Sequence, residues 1–410
     1  MKNWLSVNNY VLFTKKIIRY ILLIPFFFIF SLYIKTLKRN VRFGWLRTSR
    51  IGHCTADIDA AIQKLSHELQ SNEKLDLWFF VERDICNSYI LVLIKRMRIK
   101  NIRMKFLKSF VAQEYLKFLK KSRLFNHLYV QTVGLSFYYE NILETPAIFK
   151  SNIGEQKLIN NWISKFISID SDKPFVFLHN RDSAYLPELN YHGCRDFSAG
   201  VFNSIIESYA GELNFFRGGK KSLDAMSKNS YNCIDLPFTA HDDVVDILAH
   251  EKSLFYFGSD SGIHSVSTVF RKPVGIINFA PCNYDFIRRA NHLKLGFIPK
   301  KMINKRTSQP IGLIEMYENN WIDFWSNEQF ESAGIMLIDN SSEEVSTFFD
   351  EALGIFKSNF DKENILTSEQ EEFWRIVTFY QPDSFGAKVV LDNCFISPTF
   401  LKRNSYLFSG

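Results

Sequence analysis

Two α/β domains in series are predicted for the 410-residue chain by three observations. Short apolar runs that end in Gly, Pro, Asp or Ser alternate with stretches of helical period, as in parallel sheets joined by crossover helices. At about 100–200 residues per domain, the length holds two or three domains, enough for an enzyme. Hydrophobic residues at 46% and charged residues at 23% are ordinary globular usage, which excludes a disordered, collagen-like or multi-span membrane protein.

The first element is the apolar run YILLIPFFFIFSLYI from Tyr20 to Ile34. As a helix it covers about 22 Å of the roughly 30 Å hydrocarbon layer. Lys15, Lys16 and Arg19 precede it and Lys35, Lys38, Arg39 and Arg42 follow it, so loop charge gives no direction. The short run, the cations on both flanks and Pro25 in its middle suit an in-plane or re-entrant anchor over residues 1–40. Snorkelling by Arg19 and tilt keep a single-pass helix open. No small-residue cleavage site follows, so the segment is expected to be retained.

VRFGWLRTS then reads as a strand, RIGH as a turn, and CTADIDAAIQKLSHELQ as a helix with Ile58, Ala61, Ile62, Leu65 and Leu69 on one face. LDLWFFVE and HLYVQTVG read as strands, while YILVLIKR fits helix or strand; together these make a first domain over residues 41–165. The helix INNWISKFIS and the joint DSDKP lead into a second domain over 170–345. Its strands are PFVFLHNRD, ELNFFRGGKK, NCIDLP, SLFYFGSDSG and PVGIINFAP. After FESAGIMLID, acid-rich helical sequence at 341–356 and 367–380 and the tail NCFISPTFLKRNSYLF follow. The segment 346–410 is expected to pack back across both domains.

The net charge of +7 hides an asymmetry: residues 1–140 carry 24 Lys and Arg against 9 Asp and Glu, and eleven of the cations lie between Lys95 and Arg123. A membrane surface or an anionic lipid-linked substrate fits this half, and a solvated helical face is the plainer reading. No zinc spacing, RNP-like motif or base-reading helix supports nucleic acid. Six cysteines, Cys54, Cys86, Cys194, Cys233, Cys282 and Cys394, are scattered without C-x-x-C spacing, as in a reducing compartment. With no H-E-x-x-H among nine histidines, no structural metal is expected.

The loops after the strands hold the candidate chemistry, since ligands bind at the carboxyl ends of parallel strands. In Arg50-Ile51-Gly52-His53, Gly52 permits a tight turn that presents His53 over a helix N-terminus. There the dipole favours a neutral imidazole able to act as a base, or the His merely caps or packs. Arg181 in HNRDS can grip phosphate oxygens bidentately with Asp182 holding the guanidinium, or the two close a loop; His179 reads as buried scaffolding. Arg217 and Gly218 offer one more cation and backbone amides, or a simple turn. Ser259-Asp260-Ser261-Gly262 follows LFYFG and opens a helix, aiming N–H groups and a hydroxyl at a phosphate while also serving as an N-cap. Asp170-Ser171-Asp172 has the spacing of a carboxylate clamp for Mg²⁺, but its place at the interdomain joint makes it a linker.

The blocks SRIGH, FLHNRDSAYL, RDFSAG, FFRGGK, FGSDSGIHSVSTVFRKPVGIINFAP and ISPTFL, in this order over roughly residues 41–408, resemble a family of bacterial glycosyltransferases from surface-polysaccharide loci. That resemblance implies a GT-B architecture, with two Rossmann-like domains facing a cleft, the nucleotide-sugar donor on the second and the acceptor on the first. The first block is also similar to the start of the lipopolysaccharide heptosyltransferases, whose S-x-G-D turn bears the catalytic Asp; here His53 takes that position. Asp260-Ser261-Gly262 resembles their D-[ST]-G donor loop, with His264 one position early. HNRDS resembles the H-x-R-x-D loop of inverting fucosyltransferases, where Arg181 would match the Arg that holds the diphosphate.

The expected function is therefore transfer of a sugar from a nucleotide donor to a lipid-linked surface-polysaccharide acceptor at the cytoplasmic face of a bacterial inner membrane, without metal or further cofactor. His53 would be the base, and Arg181, Asp182, Arg217, Gly218, Ser259, Asp260, Ser261 and Gly262 the donor site. The alternatives are a GT-B nucleotide-sugar epimerase and a non-catalytic anchored partner in polysaccharide assembly.

Overall fold

A computed structural model describes residues 23–37, 40–70, 72–108, 110–134, 146–166, 169–170, 172–184, 193–227, 232–239, 242–280, 294–357, 366–381 and 394–408. The first 22 residues of the expected anchor, and Cys282, lie outside the described residues.

Strands β1 (Asn40–Leu46), β2 (Leu75–Val81), β3 (Ile102–Leu107) and β4 (Tyr129–Val130) form a parallel sheet in the order β3-β2-β1-β4. Alternation along the strands gives each face its own core. Leu46, Leu77 and Phe79 meet helices α2 (Ile58–Glu68) and α3 (Ser88–Arg96) on one side. Val41, Phe43 and Phe80 meet α1 (23–36) and α4 (Phe110–Lys121) on the other. The ambiguous run YILVLIKR is the helix α3, because the Asn87 side chain accepts from the backbone N–H of Tyr89 and Ile90 at 3.0 and 3.1 Å and caps its first turn.

The expectation of a separate membrane-anchor segment is corrected for residues 23–36. Phe27, Ser31 and Ile34 are buried, Phe27 sits against Tyr115 and Phe118 of α4, and α1 is thereby a layer of the first domain. Among the described residues no helix is long and apolar enough to cross a membrane.

Helix α5 (Ile153–Ile163) starts with a capping box between Asn152 and Glu155 and leads into the second sheet. Its strands are β5 (Phe175–His179), β6 (Asn214–Arg217), β7 (Cys233–Asp235), β8 (Ser253–Gly258), β9 (Val274–Phe279), β10 (Leu295–Pro299) and, after the antiparallel pair β11 (Lys301–Asn304) and β12 (Ile335–Ile338), β13 (Cys394–Ile396). The order β7-β6-β5-β8-β9-β10-β13, parallel throughout, repeats the third-second-first-fourth arrangement of the first sheet. Both sheets are doubly wound, each with a switch point where strand order reverses: β1/β4 in the first, β5/β8 in the second.

Helices α6 (Asn203–Ser208), α7 (Asp243–Lys252), α8 (His264–Val269), α9 (Leu313–Glu318), α10 (Asn327–Ser332), α11 (Ser342–Lys357), α12 (Ser368–Tyr380) and α13 (Pro398–Arg403) complete the second domain. The boundary expected at residue 346 falls inside α11, whose Phe348 and Phe349 pack on Phe257 of β8, and β13 extends the sheet. In its described residues the C-terminal segment is thus built into the second domain and not laid as a strap across both. One apolar cluster runs through both domains, from Leu46 and Tyr89 to Val245 and Leu407. Asp243 at the start of α7 accepts from the backbone N–H and hydroxyl of Ser88 at 2.8 and 2.7 Å, tying together the N-termini of α3 and α7.

Candidate functional site

At the first switch point, the chain leaves β1, turns, and is already helical at Ile51 and Gly52. A π turn over His53–Asp57 then precedes α2; such turns occur often at functional sites. Gly52 has ordinary helical angles, φ −61° and ψ −45°, so it is not there to make a tight turn. Its role is close approach: a Cβ at Gly52 would lie 3.0 Å from the Cα of Gly262 and 3.2 Å from its carbonyl oxygen. The loops that bear His53 and Asp260-Ser261-Gly262, one from each domain, therefore meet backbone to backbone.

His53 Nδ1 lies 2.7 Å from Asp57 Oδ2, and the same carboxylate oxygen accepts the N–H of Gly134 at 2.8 Å. Gly134 follows β4, so both strands of the switch point contribute to holding Asp57. An ionised Asp57 accepts from Nδ1–H, which fixes the tautomer and leaves Nε2 as the nitrogen that can exchange a proton with a substrate. The His53 side chain is one-quarter exposed.

The second switch point brings the ends of β5 and β8 together. The N–H of Ser259 donates to the carbonyl of His179 at 2.9 Å, and His179 Nδ1 lies 2.8 Å from Ser259 Oγ and 3.3 Å from Ser261 Oγ. Gly258 has φ +157°, and a Cβ there would lie 2.0 Å from the His179 carbonyl oxygen, so only glycine lets the strands converge. Burial first, and then nearby Arg217, push the His179 pKa down to about 3. His179 is thus a neutral, half-buried scaffold for the two serines. The loop Ser259–Gly262 precedes the helix by more than expected: α8 begins at His264. His264 Nδ1 is 3.5 Å from Asp260 Oδ1.

Arg181 pairs with Asp196, with both side chains mostly buried. Burial lowers the Arg181 pKa against the pull of Asp196, and burial raises that of Asp196 against the pull of Arg181. Asp182, expected to hold Arg181, is engaged elsewhere. It accepts from Ser222 Oγ at 2.5 Å and from the N–H of Leu223 and Ala184 at 3.0 and 2.9 Å. Burial opposes its ionisation, but these bonds and Arg217 outweigh it and hold the pKa below the ordinary carboxylate value.

Arg217 is fully buried. Its guanidinium donates to Asn180 Oδ1 from Nε and Nη2 at 3.1 and 2.9 Å, to the Asp224 carbonyl at 2.8 Å, to Asp235 at 2.9 Å and to Ser222 Oγ. It ties the Asn180–Asp182 loop to β7 from beneath, and all of its donor nitrogens are turned to protein acceptors. Gly218 is a packing glycine, since a Cβ would fall 1.9 Å from the Phe177 ring.

The structure thus brings His53 and the Ser259–Gly262 loop together where the two switch points meet; Arg181 and Asp182 lie partly buried in the loop after β5, and Arg217 and Gly218 are buried beneath it. Three further residues belong to the site. Asp57 has only its i,i+4 spacing from His53 as a sequence signal. Arg195 donates to the Asp260 carbonyl at 3.2 Å. Lys300, buried, donates to the Asp196 carbonyl at 2.9 Å and to Asp339 at 2.6 Å. Asp170 and Asp172 lie before β5, at the opposite end of the sheet, where Asp170 accepts the N–H of Asp172 at 3.1 Å. Among the described residues no group of three or more His, Cys, Asp and Glu could hold a metal ion.

No family model and no curated protein matches the chain. Among solved structures it is similar to E. coli ADP-heptose lipopolysaccharide heptosyltransferase II, at 11% identity over 77% of this chain and 99% of that one, with a TM-score of 0.46. It is also similar to the dodecameric iron-containing heptosyltransferase TibC in complex with ADP-D-β-D-heptose, at 10% identity over 78% of this chain and 77% of that one, TM-score 0.37. A third is S. aureus MnaA with UDP, at 12% identity over 80% and 99% of the two chains, TM-score 0.30.

Proposed function

We propose that the protein is a glycosyltransferase of GT-B type that moves a sugar from a nucleotide donor to a lipid-linked surface glycan at the cytoplasmic face of a bacterial inner membrane. The observation that carries this reading is the contact of Gly52 with Gly262, which sets the His53–Asp57 dyad of one switch point against the serine-rich loop of the other. A base and an anion-binding loop on opposite walls of one cleft are what transfer to a hydroxyl requires.

His53 Nε2 takes the proton of the acceptor hydroxyl as its oxygen attacks the anomeric carbon, and Asp57 stabilises the imidazolium that forms. The bond to the nucleoside diphosphate breaks, and its charge is met by Arg181, Arg195 and the polar groups of residues 259–262. Side-chain cations, and no metal ion, do this neutralisation in the proposal. Arg217 and Asp182 hold the loop that carries Arg181.

The test is the melting temperature of the full chain with UDP, GDP, CMP, ADP and dTDP in turn. The full chain is needed because Phe27 and Ile34 are core residues. One nucleotide in hundredfold excess over its Kd should stabilise the fold by about 2.7 kcal/mol. No shift with any of them overturns the reading. Incubating the matching nucleotide sugar with the enzyme alone separates transfer from epimerisation, since an epimerase needs no acceptor.

A further inference from the structure

We infer that the outer face of α1, with the exposed cations at the end of α4, is a docking surface for an anionic lipid bilayer, on which the protein lies with α1 parallel to the membrane plane. The inference builds on the transferase reading for its lipid-linked acceptor and adds how the enzyme meets the membrane.

The first observation is the asymmetry of α1. Phe27, Ser31 and Ile34 face inward; Ser31 Oγ and Tyr115 Oη lie 3.0 Å apart, and Phe30 meets Phe43 and Tyr115, which fixes the helix's rotation. On the other side Phe26 is 59%, Ile29 66% and Tyr33 59% exposed, joined by Ile24, Phe28 and Leu32. A surface helix ordinarily turns polar residues to water, and a contiguous patch of large apolar side chains marks a membrane or partner site. The inner face is committed to the domain core, so α1 cannot leave it to span. It can only lie flat, as in-plane helices do.

The second observation is charge. Phe28 stacks edge-on against Phe125 at 5.4 Å, and Lys35 Nζ sits 5.3 Å from the same ring. Lys120, Lys121 and Arg123, just before Phe125, are exposed, as is Leu124 at 61%. An apolar face with a cationic rim is complementary to acyl chains below anionic head groups. A second copy seated on the same face would set these cations against each other, which favours lipid as the occupant.

The experiment is co-sedimentation of the full chain with vesicles of phosphatidylcholine alone and of phosphatidylcholine mixed with phosphatidylglycerol. Binding should be stronger to the mixture by about tenfold or more and should weaken as salt rises. Phe26→Glu with Ile29→Glu, and separately Lys120→Glu with Lys121→Glu and Arg123→Glu, should each lower the partition coefficient at least about tenfold without changing the melting temperature, because the replaced groups are exposed. Equal binding to both lipids, or folded variants that still sediment like the parent, overturns the proposal. So does a lipid-free dimer that Phe26→Glu dissociates, which would make a second copy the occupant. Nucleotide-dependent melting does not depend on this surface, so its outcome separates failure here from failure of the transferase reading.

Discussion

His53 was legible in the sequence because a glycine-flanked His between a strand and a helix has few places to go except the carboxyl edge of a sheet. Its partner was not, because Asp57 sits within what reads as one continuous helix, and only the π turn gives those five residues a geometry of their own. Arg217 fails as a cleft residue because it is the last residue of β6 instead of the first of the following loop, and every residue of that strand is buried. His53→Ala should lower kcat by roughly 10²–10⁴-fold, the usual range for a general base. Asp57→Asn should lower it by a smaller factor, about tenfold or more, because the imidazole keeps its place but loses the carboxylate that fixes its tautomer. In both variants the nucleotide-induced rise in melting temperature should persist. If Asp57→Asn abolishes that rise as well, the carboxylate is holding the cleft together instead of orienting His53.

At the scale of elements, the strands of the parallel sheets were readable as continuous apolar runs because they are buried on both faces. β3, β10, β11 and β13 were missed or misplaced: IRMKFL carries two cations and is mostly half-buried, LGFIP carries both a glycine and a proline, and β13 reaches the sheet only after α11 and α12, so nothing local marks it. The glycines show a similar limit. Sequence assigns them to turns, whereas Gly52 and Gly218 are required by what stands opposite them. Their replacements should separate cleanly. Gly218→Ala drives a methyl into the buried Phe177 ring and should cost about 1–3 kcal/mol, the usual penalty of overpacking, measured as a lower urea midpoint. Gly52→Ala keeps a helical backbone and stays within about 1 kcal/mol of the parent, yet it pushes the His53 loop from the Gly262 loop. The expected result is near-parental stability with kcat/KM reduced by about tenfold. Full activity would show that the two loops need not touch during turnover.

On the scale of the whole molecule, the charge asymmetry between the two halves was visible in composition, and so was the apolar N-terminal run. What composition could not show is that a helix apolar on every side has no polar stripe to mark which face is core; only packing on Tyr115 and Phe43 settles that for α1. The junction of the domains was equally silent, although it holds a buried ion pair between α2 and the turn after α8. Arg271 Nη1 and Nη2 meet the carboxylate of Asp59 at 2.7 and 3.2 Å, and Asp59 is 1% exposed. Burial raises the Asp59 pKa, and Arg271 opposes that rise. Removing the guanidinium by Arg271→Met strands a carboxylate in the interface and should destabilise the protein by about 3–5 kcal/mol at neutral pH. The sign of the pH dependence follows from linkage. The variant's folded-state pKa rises further above the unfolded one, so the folded protein binds the extra proton. Stability is then greatest below the unfolded pKa and is lost as pH rises through the folded value. The deficit relative to the parent should therefore shrink as pH falls from 7 toward 4, and Asp59→Leu combined with Arg271→Met should recover most of it by removing the buried charge. Urea unfolding of the three variants across that range checks both statements. A deficit that is independent of pH, or a double variant no better than Arg271→Met, would mean that Arg271 stabilises its own turn, through its carbonyl contacts at Thr268 and Val269, and does not act through Asp59.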